Sequence, residues 1–160
     1  MKKLILALSF LILSLASYAQ EKGDFAAGID IGVAPTIEKN VSLSNFGIGA
    51  KFQYNVTDPI RLEFDINYWF RDKQTDILDL DINAQYLFHV ANRLSAYPLA
   101  GIGYARVGLP TTPENRFLFN VGAGAEYFVS QNVSTGLEFK FQFMKHYSRI
   151  PINIGVTYHF

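Results

Sequence analysis

Beyond residue 24, apolar and polar side chains alternate along most of this chain. Phe25, Ala27, Ile29, Ile31 and Val33 take one set of positions, while Ala26, Gly28, Asp30 and Gly32 take the other. A period of two is that of a β-strand with one apolar face. Pro35 to Ser44 breaks the rhythm and predicts a loop. A second strand sets Phe46, Ile48, Ala50, Phe52 and Tyr54 against Gly47, Gly49, Lys51 and Gln53, and Asn55 to Pro59 has the composition of a tight turn. The third strand is the clearest: Ile60, Leu62, Phe64, Ile66, Tyr68 and Phe70 alternate with Arg61, Glu63, Asp65, Asn67, Trp69 and Arg71. A fourth sets Leu78, Leu80, Ile82, Ala84, Tyr86 and Phe88 against Asp79, Asp81, Asn83, Gln85 and His89.

A turn is expected over Val90 to Leu94, and the fifth strand after it fits least well. Ala100, Ile102 and Tyr104 share a face, but Tyr97 and Leu99 fall out of phase, and Pro98 predicts a bulge or irregular pairing. After a loop over Val107 to Arg116, the sixth strand carries Phe117, Phe119, Val121, Ala123, Ala125 and Tyr127. The seventh carries Leu137, Phe139, Phe141 and Phe143 against Gly136, Glu138, Lys140 and Gln142. The eighth is expected from Arg149 to Phe160, with Ile150, Ile152, Ile154, Val156, Tyr158 and Phe160 on its apolar face. Eight strands of about ten residues have the length that a tilted membrane-spanning strand requires.

A repeat supports this division. Phe52-Gln53-Tyr54, Ala84-Gln85-Tyr86, Ala125-Glu126-Tyr127 and Val156-Thr157-Tyr158 each close an even-numbered strand. Three precede a short turn containing Asn55, Asn92 or Asn132. Tyr54, Tyr86, Tyr127 and Tyr158 therefore form an expected aromatic row at one edge, the level of a membrane interface. Both chain ends fall at that edge, which makes it the periplasmic one.

The first residues alter the picture. Lys2 and Lys3, an apolar run from Leu4 to Leu15 broken by Ser9 and Ser14, and Ser17-Tyr18-Ala19 make a secretory signal peptide over 1–19, leaving a barrel domain over 20–160. The run is too short for a spanning helix, and no second one follows. There is no cysteine, which excludes a lipidated N-terminal Cys, disulfides and thiolate metal sites. The formal net charge is +0 with no basic block, so nucleic acid is not an expected partner. Of the two faces, the apolar one must meet lipid in a membrane barrel, because Arg or Lys at the midplane costs roughly 2–4 kcal/mol each. A soluble lipid-carrying barrel would reverse the faces.

Phe160 at the chain end, Tyr158 two residues before it and alternating apolar residues before that resemble the C-terminal signature of bacterial outer-membrane barrels. With the eight-strand pattern, the mature chain is similar to the OmpA/OmpX-type family, also called the outer membrane protein beta-barrel domain or, loosely, the porin family. The resemblance implies an all-β fold: an eight-stranded antiparallel up-and-down transmembrane β-barrel in the cell outer membrane. It further implies that Val156, Tyr158 and Phe160 form an insertion signal read by the barrel assembly machinery. Outer-membrane lipids and lipopolysaccharide are the other expected partners of what should be a monomer.

The chemistry available lies on the polar face. Asp30, Glu63, Asp65, Asp79, Asp81, Glu126 and Glu138 oppose Lys51, Arg61, Arg71 and Lys140. The lumen of eight strands is just wide enough for side chains to fill it, and buried charges must pair. A self-neutralising lumen network built on Lys51, Arg61, Glu63, Asp65, Asp81, Glu126, Glu138 and Lys140 is therefore expected, in preference to an ion path. His146-Tyr147-Ser148 is similar to the His-x-Ser pair of outer-membrane lipid A deacylases, but no Asp or Glu follows Glu138 to complete a triad. His89 and His159 stand alone and suggest no metal. Asn40-Val41-Ser42, Asn55-Val56-Thr57 and Asn132-Val133-Ser134 read as turns, and Gly101-Ile102-Gly103 and Gly122-Ala123-Gly124 as strand glycines. No catalytic residue, cofactor or metal is expected. The function expected is that of a non-enzymatic barrel with an envelope-structural or surface-interaction role and at most a narrow pore. The alternatives are a lipid-modifying enzyme of the deacylase kind and a soluble periplasmic lipid-binding barrel.

Overall fold

The computed structural model describes residues 23–37, 44–72, 75–109, 112–145 and 148–160. The signal peptide over 1–19, His146 and Tyr147 lie outside the described residues, as does the side chain of Arg71. The strands are β1 (Phe25–Pro35), β2 (Ser44–Asn55), β3 (Ile60–Asp72), β4 (Thr75–Tyr86), β5 (Phe88–Ala91), β6 (Leu94–Gly108), β7 (Glu114–Phe128), β8 (Val133–Met144) and β9 (Ile152–His159). No helix occurs among the described residues. β4 and β5 are two parts of one barrel strand, since both pair with β6 on either side of Leu87. That leaves eight barrel strands, each antiparallel to its sequence neighbours. The sheet closes where β9 meets β1, from Ala26 opposite His159 to Val33 opposite Ile152. Closure removes every free edge, as a bilayer demands.

The alternation sets which side chains face out. Ile29, Ile66, Phe119, Val121, Leu137, Ile154 and Val156 are all more than half exposed on the outer wall. Arg61, Glu63, Asp79, Asn83, Lys140 and Gln142 are each at most 1 % exposed on the inner one. This reverses a water-soluble protein and matches an environment in which lipid is the outer solvent.

Three strand assignments need correction. β6 runs from Leu94 to Gly108 and keeps one register against β7, so Pro98 makes no bulge. Tyr97 and Leu99 are in phase after all: they point inward and are buried with Leu87 as an apolar group inside the lumen. The irregularity lies on the other flank. Gln85 pairs with Leu99 and Phe88 with Ala96 in one register, but the Tyr86–Pro98 and Leu87–Tyr97 steps between them are missing. Pro98 has no N–H to offer there. The last strand begins at Ile152 rather than Arg149, with Arg149 forming only isolated bridges to Thr36 and Gln142. Finally, β1 reaches Pro35, β6 reaches Gly108 and β7 starts at Glu114, all inside segments expected as loops. Backbone pairing continues past the apolar zone because it does not depend on side-chain polarity.

Tyr54, Tyr86, Tyr127 and Tyr158 all fall at one end of the barrel, where Phe25 faces Tyr54, Ile60 faces Tyr86 and Leu94 faces Tyr127. Residue 23 and Phe160 are at the same end, with Gly23 N donating to Asn55 O and Phe160 N to Phe25 O. Connections there are short turns, such as the one in which Val129 N donates to Val133 O.

Candidate functional site

The inner wall presents a column of polar side chains in three tiers. In the tier nearest the tyrosine edge, Arg61 on β3 reaches across the lumen to β7. Its Nη1 donates to Glu126 Oε2 at 2.8 Å, and its Nε donates to Gln85 Oε1 at 2.6 Å. Ser134 Oγ donates to Glu126 Oε1 at 2.6 Å, and His159 Nε2 lies 3.1 Å from that same oxygen. His159 is thus not solitary, as the sequence suggested, but sits in a Glu126–Ser134–His159 group that pins β9 to β7 and β8.

The middle tier is built around Lys140 on β8. Its Nζ contacts Asp65 Oδ2 at 2.5 Å and Glu138 Oε1 at 3.0 Å. Glu138 Oε2 accepts from Tyr97 Oη at 3.0 Å, and Asn83 Nδ2 donates to Asp65 Oδ2 at 2.8 Å. Gln53 Nε2 donates to Glu63 Oε2 at 2.6 Å, and Lys51 Nζ lies 3.8 Å from Asp30. Glu63, Asp65 and Glu138 bring carboxylate oxygens within 4.8 Å of one another, a geometry that could hold a metal ion. The Lys140 ammonium already lies against two of the three, so the cluster has its own cation.

In the third tier Arg149 takes the lead. Its guanidinium pairs with Asp79 and its Nε donates to Gln142 Oε1 at 2.7 Å, while Gln142 Nε2 donates to Asp81 at 3.1 Å. Trp69 Nε1 donates to Asp79 at 2.8 Å, and Arg149 lies over the Trp69 ring at 5.0 Å. Beyond this tier Ala34, Trp69, Ile77, Ala105, Val107, Leu118 and Met144 form a buried apolar cluster across the mouth away from the tyrosine edge. On the β5–β6 wall Leu87, Tyr97 and Leu99 form a smaller one, with Arg61 over the Tyr97 ring at 5.1 Å. The larger cluster closes the column at the mouth away from the tyrosine edge, while the smaller one packs on the β5–β6 wall beside Arg61 and Glu138.

All eight residues expected in the lumen network are buried inside or line it, though not as one chain of pairs. Asp81 and Glu63 take their hydrogen bonds from amides, Gln142 and Gln53, rather than from cations. Sequence reasoning missed Arg149 and Tyr97. Arg149 sits beyond the regular alternation, so no periodicity marks it as inward. Tyr97 is out of phase with the outward apolar set of its strand, and its own apolar ring hides its inward position. Of the His146-Tyr147-Ser148 motif only Ser148 is described; its carbonyl accepts from Ile37 N at 2.9 Å. His89 contacts Ser95 Oγ at 3.0 Å and lies 3.6 Å from Asp58 in the turn at the tyrosine edge.

A closed wall of eight antiparallel strands, apolar outside and charged within, defines a small transmembrane β-barrel. The outer membrane protein beta-barrel domain family matches residues 5–160, and the chain belongs to that family. Its place in the outer membrane follows from that membership. The barrel is similar to Neisserial surface protein A, at 17 % identity and TM-score 0.73, covering 84 % of this chain and 96 % of that one. It is also similar to Ail, the attachment invasion locus protein of Yersinia pestis, at 16 % identity and TM-score 0.68, covering 87 % and 99 % of the two chains. A third likeness is to the N-terminal β-barrel domain of Pseudomonas aeruginosa OprF, at 17 % identity and TM-score 0.67, covering 88 % and 100 %. At these identities the likeness is one of fold. No curated protein matches the chain in sequence.

Proposed function

We propose that this chain is a non-enzymatic, monomeric outer-membrane barrel with a filled lumen, and that it serves as an envelope-structural or surface-interaction protein. The observation that carries the reading is the lumen itself. Its polar column is cross-linked from wall to wall, and an apolar cluster drawn from β1, β3, β4, β6, β7 and β8 lies across the mouth away from the tyrosine edge. A water-filled channel needs a continuous polar path, which that cluster interrupts. In this reading the chain is exported with residues 1–19 removed and the tyrosine edge faces the periplasm. Val156, Tyr158 and Phe160 are the address read by the assembly machinery, and lipopolysaccharide and phospholipid are the surrounding partners. A surface role is supported by the names of two proteins of like fold, a Neisserial surface protein and an attachment invasion locus protein.

The rival reading, a lipid-modifying enzyme of the deacylase kind, expects an acidic residue beyond the His-x-Ser pair, and no Asp or Glu follows Glu138 in the sequence. Purified folded protein in planar bilayers tests the filled lumen. The expected outcome is no stable large conductance; a reproducible open state that passes sugars would overturn it.

A further inference from the structure

The middle tier of the lumen does not balance its own charge. Among the described side chains it holds Asp30, Glu63, Asp65 and Glu138 against Lys51 and Lys140, which leaves two negative charges. Help from the neighbouring tiers is already committed: Arg61 pairs with Glu126 and Arg149 with Asp79. The deficit falls on Glu63. Lys140 contacts Asp65 and Glu138, and Lys51 lies nearest Asp30, so neither lysine forms an ion pair with Glu63 among the described residues.

A second observation, independent of the charge count, marks the same place. Glu63 is 0 % exposed, yet its Oε1 has no hydrogen-bond partner. Its Oε2 accepts from Gln53 Nε2, and the Oε1 of that buried amide is also without a partner. Gln53 and Glu63 face each other across β2 and β3 in register. Two buried acceptor oxygens, one charged and one neutral, thus stand beside each other with nothing donating to them. A water molecule would give them hydrogen bonds but no charge. A metal ion supplies both.

We propose that one calcium ion is held in the lumen by Glu63, Asp65 and Glu138, and that the neighbouring Gln53 carbonyl supplies a neutral oxygen. Carboxylate oxygens of the three acids lie within 4.8 Å of one another, inside the span of about 5 Å that calcium offers between opposite ligands. The donors are all oxygens, which selects a hard cation over zinc or copper. Magnesium keeps several of its waters, and side chains at most 5 % exposed leave little room for them. Lys140 does not fill the site, because each carboxylate has two oxygens and can face the ammonium with one and the metal with the other. The ion cancels the two surplus charges and ties β3 to β8 across the lumen.

The chain is refolded into detergent with calcium chloride at about 1 mM, a concentration that fills even weak protein sites. Loose metal is removed by gel filtration, and bound calcium is counted by mass spectrometry. The wild type should carry about one ion per folded chain, and Glu63→Gln, which keeps the side chain's volume, should hold calcium at least roughly ten-fold more weakly. Glu114→Gln, at the exposed rim, should leave the content unchanged. Gel mobility with and without boiling confirms the barrel in each variant. Calcium retained at the wild-type level by folded Glu63→Gln, or lost from Glu114→Gln, puts the ion elsewhere and overturns the proposal. The wild-type count needs no variant to fold: less than about one-tenth of an ion per chain means that protons neutralise the carboxylates and no metal site exists.

Discussion

Lys140 shows how much one side chain can hold in this interior. Its ammonium is 1 % exposed and touches carboxylates from two strands, Asp65 on β3 and Glu138 on β8. Replacing a partner in a buried pair leaves a charge uncompensated, which costs about 3–5 kcal/mol, more than the pair itself contributes over an apolar substitute. Lys140→Met should therefore lower the unfolding free energy by about 3–5 kcal/mol, read as a lower urea midpoint at unchanged slope. An unchanged midpoint would mean that water or a second cation compensates. Space for such long side chains comes from glycines facing them. Gly124 on β7 lies under the Tyr97 ring, and a Cβ there would meet the ring atoms at 2.5 Å. A methyl group at that position would push Tyr97 off Glu138.

Among the strands, β6 is where composition and pairing conflict. Pro98 sits on the outer face in a strand otherwise paired along its length with β7, and its missing N–H interrupts the ladder to β4 and β5. Leu87 N, next to the gap, donates instead to Pro59 O at 2.9 Å on the β3 side. Pro98→Val restores one donor and adds a β-branched side chain facing lipid, so it should stabilise the barrel by about 0.5–1.5 kcal/mol, the net worth of a hydrogen bond. A lowered denaturation midpoint would show that the gap relieves strain. The same strand shows why the sequence was readable in most places and not here. Alternation reveals facing when the inner side is polar and the outer apolar, as in β3, where all six outward residues from Ile60 to Phe70 could be assigned. It is silent when the inner side is also apolar, as at Leu87, Tyr97 and Leu99, and when the residue lies beyond the regular ladder, as Arg149 does. The lumen charges were therefore legible from strand phase. Their pairing was not, because partners lie on strands far apart in sequence.

For the molecule as a whole, closure depends on the last strand. Phe160 is 71 % exposed, packs its ring on Tyr158 at 5.3 Å and donates its N–H to Phe25 O. Deleting it removes one hydrogen bond and one aromatic contact, so the finished barrel should lose only about 1–2 kcal/mol. Assembly in cells should suffer far more if this residue is the address. The deletion variant is expected to refold in detergent yet accumulate poorly in the outer membrane; normal cellular levels would show the terminal aromatic to be incidental. The enclosed column has a consequence for the order in which such a wall can be made. Its cross-lumen links join residues far apart in the chain: Gln142 to Asp81 over 61 positions, Arg61 to Glu126 over 65, Arg149 to Asp79 over 70 and Lys140 to Asp65 over 75. Among the described side chains, the stretch from β1 to β4 buries Asp30, Glu63, Asp65, Asp79 and Asp81 against Lys51 and Arg61. This first half of the sheet cannot satisfy its own charges, so its interior is completed only when Glu126, Lys140 and Arg149 arrive from later in the chain, and links of that length make closure a slow step.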